Sequence, residues 1–390
     1  LLDKINQYTK EIENDLKHLN NYIYDHPEEG HLEYLSSEAH CKLLSSHDFH
    51  ITKPYMGMET AFKAVFDSGI KGPNIAYLAE YDALPEIGHG CGHNILGTTS
   101  TGAGIVLSKL IQKTGGTVTV FGTPAEETSG GKVPMAEGGA FDNIDAVMIV
   151  HPAEEYFQSG QSLALEALEF VFIGRTAHAA SSPEHGINAL NGVLSLFNSV
   201  NAMRGHIKQE SRIHGIITEG GVAANIVPER AVARFYVRSN TMQYLSFLTE
   251  MMKQLAQSAA LATSTEVEIR NYELSYNNLM TNKYLNKMFV DNLELFGVEK
   301  VMPPKKTYGS VDAGNVSQVC PTIHPYFKIS TKPVVAHTRL FASETLTDYA
   351  LAQMKMTIGA LVKTGFELIT DPILLNQVKS EFDISRNKVD

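Results

Sequence analysis

The sequence is poor in cysteine, in basic charge and in long apolar runs, and each shortage closes off a class of protein. Three cysteines, Cys41, Cys91 and Cys320, are too few and too scattered for a disulfide framework. Lys and Arg number 32 against 43 Asp and Glu, a net charge of -11. That balance argues against a nucleic-acid partner, because phosphate binding needs clustered cations. No apolar run is long enough to predict a membrane span. The first residues, Leu1 to Asn6, lack the basic-then-apolar layout of a secretory signal, so a reducing cytoplasm is the expected compartment. Ser129-Gly130-Gly131-Lys132 does not complete a phosphate-binding Gly-x-x-x-x-Gly-Lys-Ser/Thr loop. No Gly-x-Gly-x-x-Gly follows the first strand and no His-Glu-x-x-His occurs, which sets aside dinucleotide binding and a thermolysin-like helix.

What is present is globular: 43% hydrophobic and 19% charged residues. A chain of 390 residues exceeds one ordinary core, so two domains are expected. Ile5, Ile12, Leu16, Leu19 and Ile23 repeat at helical spacing near the start. From about residue 74 to 151 short apolar runs alternate with helical stretches, the clearest helix following His93 with Ala103, Val106, Leu107, Leu110 and Ile111 on one face. This is a βαβ pattern and implies a mostly parallel sheet covered on both faces. Between 165 and 277 the order changes to strand 168–173, helix 186–203, strands 213–218 and 231–237, helix 243–261 and strand 265–272. That β-α-β-β-α-β order is ferredoxin-like. The expected architecture is therefore an α/β catalytic domain of residues 1–164 and 278–390, interrupted by an inserted domain of residues 165–277.

The chemistry gathers where the apolar runs end. Runs at 74–79, 117–121 and 146–150 are followed by Asp82 and Cys91-Gly92-His93, by Glu126-Glu127, and by His151. In open α/β sheets ligands bind just beyond the carboxyl ends of the strands, and thiolate, imidazole and carboxylate together suit a transition metal. Each member has a plainer reading alone. Cys-x-His can be a buried thiol beside a hydrogen-bonded histidine, Glu126-Glu127 a helix cap, and His151 a polar strand end. Asp82 is placed to orient a histidine. Adjacent residues of an extended segment point to opposite sides, so one of Glu126 and Glu127 is expected to bind metal while the other carries protons.

Tyr81-Asp82-Ala83-Leu84-Pro85, Gly90-Cys91-Gly92-His93-Asn94, Pro124-Ala125-Glu126-Glu127, Gly174-Arg175-Thr176-Ala177-His178 and His324-Pro325-Tyr326-Phe327 together resemble the aminoacylase and glutamate-carboxypeptidase metallopeptidase family, in its Cys-containing amidohydrolase branch. His26-Pro27-Glu28, Ala224-Asn225-Ile226-Val227-Pro228-Glu229 and Gly309-Ser310-Val311-Asp312 extend the likeness along the chain. Asn94 stands where much of this branch has Asp, which favours the p-aminobenzoyl-glutamate hydrolase and β-alanyl dipeptidase types over the indole-acetyl-amino-acid type.

The resemblance implies a hydrolase of small N-acyl or aminoacyl amino acids, aminobenzoyl-glutamate-like conjugates or short peptides. Two divalent ions, zinc or else manganese, would be held by Cys91, His93, Glu127, His151 and His324. Cys91 would bridge, with Glu127 and His324 on one ion and His93 and His151 on the other. Glu126 would serve as general base and acid toward an activated water. His178, from the inserted domain of a neighbouring subunit, would donate to the oxyanion, with Asn225 and Arg238 holding the substrate. Arg suits a carboxylate, although Arg234 and Arg238 also read as a solvated basic strip. A homodimer or homotetramer joined through the inserted domain is implied. Two other readings stay open: Cys91 as a thiol nucleophile with His93 or His151 as its base, or an inactive binding module.

Overall fold

In the computed structural model, which describes residues 1–305 and 308–387, contacts divide the chain into two units. One runs from Leu1 to Gln161 and resumes at Leu279 and again at Asp312. The other comprises Ser162–Asn278 together with Tyr308–Val311. The sequence reading carried the larger domain straight through 308–311. Those residues join the smaller unit because Gly309 accepts the Leu163 amide at 2.9 Å and Ser310 Oγ accepts from Arg238 at 2.7 Å.

The larger unit is built on a six-stranded sheet in the order His50–Thr52, Phe62–Asp67, Thr117–Gly122, Asn74–Ala79, Ala146–Met148 and Thr322–Ile323. The last four are parallel, and the first two add an antiparallel edge. The sheet is thus mixed. Only a short loop links Phe62–Asp67 to Asn74–Ala79, too short for the crossover that a parallel pair requires. Asn74–Ala79 and Thr117–Gly122 are buried from their second residue onward, as strands covered on both faces must be. The helix His93–Ile111 supplies the crossover between them and is buried on nearly every side, packed against the helix Asp348–Thr370.

Two details differ from the periodicity. The first amphipathic stretch is two helices, Leu2–Glu11 and Glu13–Asp25, broken at Ile12, although Ile5, Ile12, Leu16, Leu19 and Ile23 are all buried. The third apolar run does not stay in one strand. It leaves the large sheet after Met148, and His151–Ala153 pairs instead with Tyr326–Lys328 in a separate parallel ladder, His151 opposite Tyr326. His151 therefore opens a strand where the sequence put it at a strand tip.

The smaller unit has a four-stranded antiparallel sheet in the order Glu266–Asn271, Ala164–Ile173, Arg230–Ser239, Arg212–Glu219. Helices Ala189–Met203 and Met242–Thr263 pack on it. In Arg230–Ser239 the alternate residues Ala231, Ala233, Phe235 and Val237 are fully buried and share a core with Phe170, Phe172, Leu196 and Leu248. The opposite face carries Arg234, Tyr236 and Arg238, which is the pleat acting on a two-residue period. Among the described residues no helix is long and apolar enough to cross a membrane.

Candidate active site

The turn before the helix His93–Ile111 sets the first donors. Gly92 has φ +81°, and a Cβ there would lie 2.6 Å from Pro152 Cγ, so both the turn and the close approach of the His151–Ala153 strand require glycine. Cys91 and His93 leave this turn toward His151, with Cys91 Sγ 3.4 Å from His151 Nε2. His93 is fully buried, and its Nδ1–H donates to Asp82 Oδ1 at 2.9 Å and to the Asp82 carbonyl at 3.0 Å. Asp82 Oδ2 accepts the Glu127 amide at 2.9 Å. One buried carboxylate thus fixes the His93 tautomer, frees Nε2 as a donor, and anchors the next loop. His151 Nδ1–H donates to the Pro152 carbonyl at 2.7 Å, which likewise leaves its Nε2 lone pair facing Cys91.

Glu126 and Glu127 do not extend the strand as the sequence reading assumed. Ala125 sits at φ +62°, a conformation that L side chains seldom adopt, and the chain turns immediately. Its carbonyl accepts the amides of Ser129 and Gly130, and its amide is held by the buried Glu33 carboxylate at 2.8 Å. The two carboxylates therefore converge instead of diverging. Glu126 Oε2 and Glu127 Oε1 lie 4.0 Å and 3.9 Å from His93 Nε2.

Three sets of donor atoms lie within 4.8 Å of one another: Cys91, His93 and His151; Cys91, Glu127 and His337; His93, Glu126 and Glu127. His337 joins the set that holds Cys91 and Glu127, where the sequence reading expected His324. His337 stands at φ +64°, its amide bonded to the Gly90 carbonyl at 2.8 Å, which brings its Nε2 to 3.6 Å from Glu127 Oε1. His324 joins none of the three sets. It stacks on the His151 ring with centroids 5.7 Å apart, and its backbone amide is bonded to Ser159 Oγ, so it packs behind a donor. No motif surrounded His337 in the sequence, and the one local sign was Thr338, whose hydroxyl caps the helix Arg339–Glu344.

The electrostatics of this region suit cations. Glu80, Asp82, Glu126 and Glu127 surround His93, and burial together with the neighbouring carboxylates Glu80 and Asp312 holds the Glu126 carboxyl well above its usual range. Burial lowers His151 to about 3, helped by His93 and His324, so its imidazole is neutral. Burial pushes the Cys91 thiol up, and the nearby Glu127 and Glu126 push the same way. His93 moves well above its usual value, because Asp82 and Cys91 outweigh its burial. Among the described residues, the buried atoms without a hydrogen-bond partner include His93 Nε2 and Glu127 Oε1. Buried polar atoms are rarely left so, and soft and hard donors aimed at one space fit divalent metal.

In the smaller unit, His178 and Asn225 lie on neighbouring exposed loops joined by the Ala179 amide and the Asn225 carbonyl at 3.0 Å. His178 Nδ1 accepts the amides of Ala180 and Ser181, which leaves the proton on Nε2 as an outward donor. The two arginines separate. Arg234 is taken by the buried Glu169 carboxylate at 2.7 Å, whereas Arg238 donates to the neutral Ser310 hydroxyl. Asn94, read above as a marker of branch, points its amide to Asn20 and Thr345 at 2.9 Å each, inside a buried polar network.

Known proteins share this arrangement of sequence and fold. Over 342 residues the chain is 34% identical to the Xaa-Arg dipeptidase of Mus musculus, covering 85% of this chain and 79% of that one. It is 34% identical over 296 residues to a p-aminobenzoyl-glutamate hydrolase polypeptide of Escherichia coli (strain K12), covering 70% and 61% of the two chains. A dinuclear metal-binding peptidase from Bacillus subtilis superposes with a TM-score of 0.69 at 16% identity, covering 91% and 99%. Residues 76–340 match Peptidase family M20/M25/M40. With its fold, its donor-rich turn and these relatives, the chain belongs to that family of metallopeptidases and amidohydrolases.

Proposed function

We propose that this hydrolase binds two divalent ions around a shared Cys91 thiolate, His93 and His151 completing one set of protein donors and Glu127 and His337 the other. The observation that carries the reading is the overlap of the donor sets at Cys91, together with the partnerless His93 Nε2 and Glu127 Oε1. Zinc suits a thiolate best, and manganese is the alternative. When bound, such ions acidify water and polarise a carbonyl. Glu126, adjacent but outside both sets, takes the water's proton and returns it to the leaving amine. Asp82 fixes the His93 ring through the hydrogen bond to Nδ1. His178 Nε2–H serves the oxyanion, Asn225 assists from the loop beside it, and Arg238 pairs with the free carboxylate of the substrate.

The substrate class we favour is a dipeptide or N-acyl amino acid with a free carboxylate. The names of two relatives, an Xaa-Arg dipeptidase and a p-aminobenzoyl-glutamate hydrolase, support that class. We further propose a homo-oligomer joined through the four-stranded unit, working in a reducing cytoplasm where Cys91 stays free. A thiol nucleophile at Cys91, with His93 or His151 as its base, is the competing reading. Chelation tests the choice. Removal of metal is expected to abolish hydrolysis of aminoacyl dipeptides, and zinc or manganese to restore it. Full activity in metal-free protein would revive the thiol mechanism, and metal binding without turnover on any dipeptide, N-acetyl amino acid or p-aminobenzoyl-glutamate would support an inactive module.

A further inference from the structure

Lys132 has no part in the chemistry above, yet it opens the helix Lys132–Glu137 with no exposed surface, a rare place for an ammonium. Its Nζ stands 2.5 Å from Glu80 Oε1 and 2.9 Å from Asp312 Oδ1, and Asp312 Oδ2 also accepts the Lys132 amide at 3.0 Å. Glu80 and Asp312 are buried as well. Desolvating three charges costs about as much as their attraction returns, so such a triad contributes little to stability. Its role is better sought in where it holds Glu80.

Glu80 follows directly on the strand Asn74–Ala79. Its second oxygen, Oε2, has no hydrogen-bond partner and lies 3.3 Å from His93 Nε2, nearer than either Glu127 or Glu126. Both of its oxygens face basic groups, the Lys132 ammonium at Oε1 and the His93 ring beside Oε2. Even so, Glu80 does not join the donor sets built on Cys91. A bare carboxylate beside a ligand nitrogen, yet outside the ligand set, has to be restrained by something.

We propose that Lys132 is a positioning residue that keeps Glu80 from becoming a metal ligand. It occupies Oε1, is itself pinned by Asp312, and leaves Oε2 as a fixed charge near His93. The inference rests on the two-ion reading above. Freed from Lys132, an unpaired buried carboxylate turns toward the nearest cation. There it fills a position meant for water or substrate, and it neutralises part of the charge that acidifies water.

The test measures zinc affinity on the full chain by competition with a chromophoric chelator, alongside kcat, KM and Tm. The double variant Lys132→Met/Asp312→Asn keeps the net charge and frees Glu80. Zinc binding is expected to tighten about tenfold in it, while kcat falls about 10- to 100-fold and KM changes little. Adding Glu80→Gln is expected to return zinc affinity to within about threefold of the original. A merely structural lysine would lower Tm alike in both variants and show no such reversal. Unchanged or weaker zinc binding in the double variant overturns the proposal. Should that variant not fold, Glu80→Gln alone decides, since keeping both ions supports the proposal and losing one makes Glu80 a ligand. An unmodified chain that binds no zinc or manganese would instead sink the two-ion reading, so the two failures are distinguishable.

Discussion

Glu126→Gln is expected to lose turnover by about 10²- to 10⁴-fold, the usual contribution of a positioned acid-base group, while metal content stays at two ions per chain. Gln matches Glu in size and can still accept a hydrogen bond, but it cannot carry a proton between water and a leaving amine. The structure makes this a sharp test. Glu126 Oε2 lies 4.0 Å from His93 Nε2, close enough that a ligand role has to be distinguished from a proton-carrying one. Burial and the charges of Glu80 and Asp312 raise the affinity of its carboxylate for a proton, which helps it hold one between water and the leaving amine. Elemental analysis and steady-state rates on the same sample separate the outcomes. Loss of an ion would make Glu126 a ligand, and a rate within about threefold of the original would remove it from the proton path.

The second expectation concerns His337 and His324. His337→Ala should reduce the protein to one tightly held ion, weakening the other by about 100-fold or more, because a three-donor set loses its imidazole. His324→Ala should keep two. His324 stacks on His151 and edges onto Tyr326 at 5.3 Å, so removing it loosens a donor without deleting one. An affinity loss of about tenfold at the Cys91–His93–His151 position, with stoichiometry preserved, is the matching result. Two ions in the His337 variant and one in the His324 variant would reverse the assignment.

Local patterns carried most of the fold. Ile5, Ile12, Leu16, Leu19 and Ile23 lie in the core because a helical period needs only neighbours in sequence to be seen. The β-α-β-β-α-β order of the smaller unit was legible for the same reason, and its strands run where the alternation puts them. The catalytic turn was harder. Strand periodicity continued through Pro124 would separate Glu126 from Glu127, and nothing in the letters announces that Ala125 adopts a left-handed backbone held from afar by Glu33. His337 was illegible altogether. It follows Val334, Val335 and Ala336 with no helical or strand period, and one backbone bond to Gly90, far away in sequence, brings it to Glu127. Glu80 and Lys132 were hidden for a related reason. A charged residue ending an apolar run looks like a solvated strand end until the fold closes over it.

The His337 side chain keeps 56% of its surface, whereas that of His93 keeps none. On the proposed two-ion reading, the two positions would therefore differ in kinetics as well as in donors. An ion leaning on His337 can shed that imidazole into solvent and depart stepwise, while one on His93 must wait for the interior to open. During slow dialysis the protein is expected to pass through a half-loaded species, and a second metal added then should enter only the vacated place. Mixed-metal preparations would follow without any change to the chain, a route to asking which ion the reaction needs.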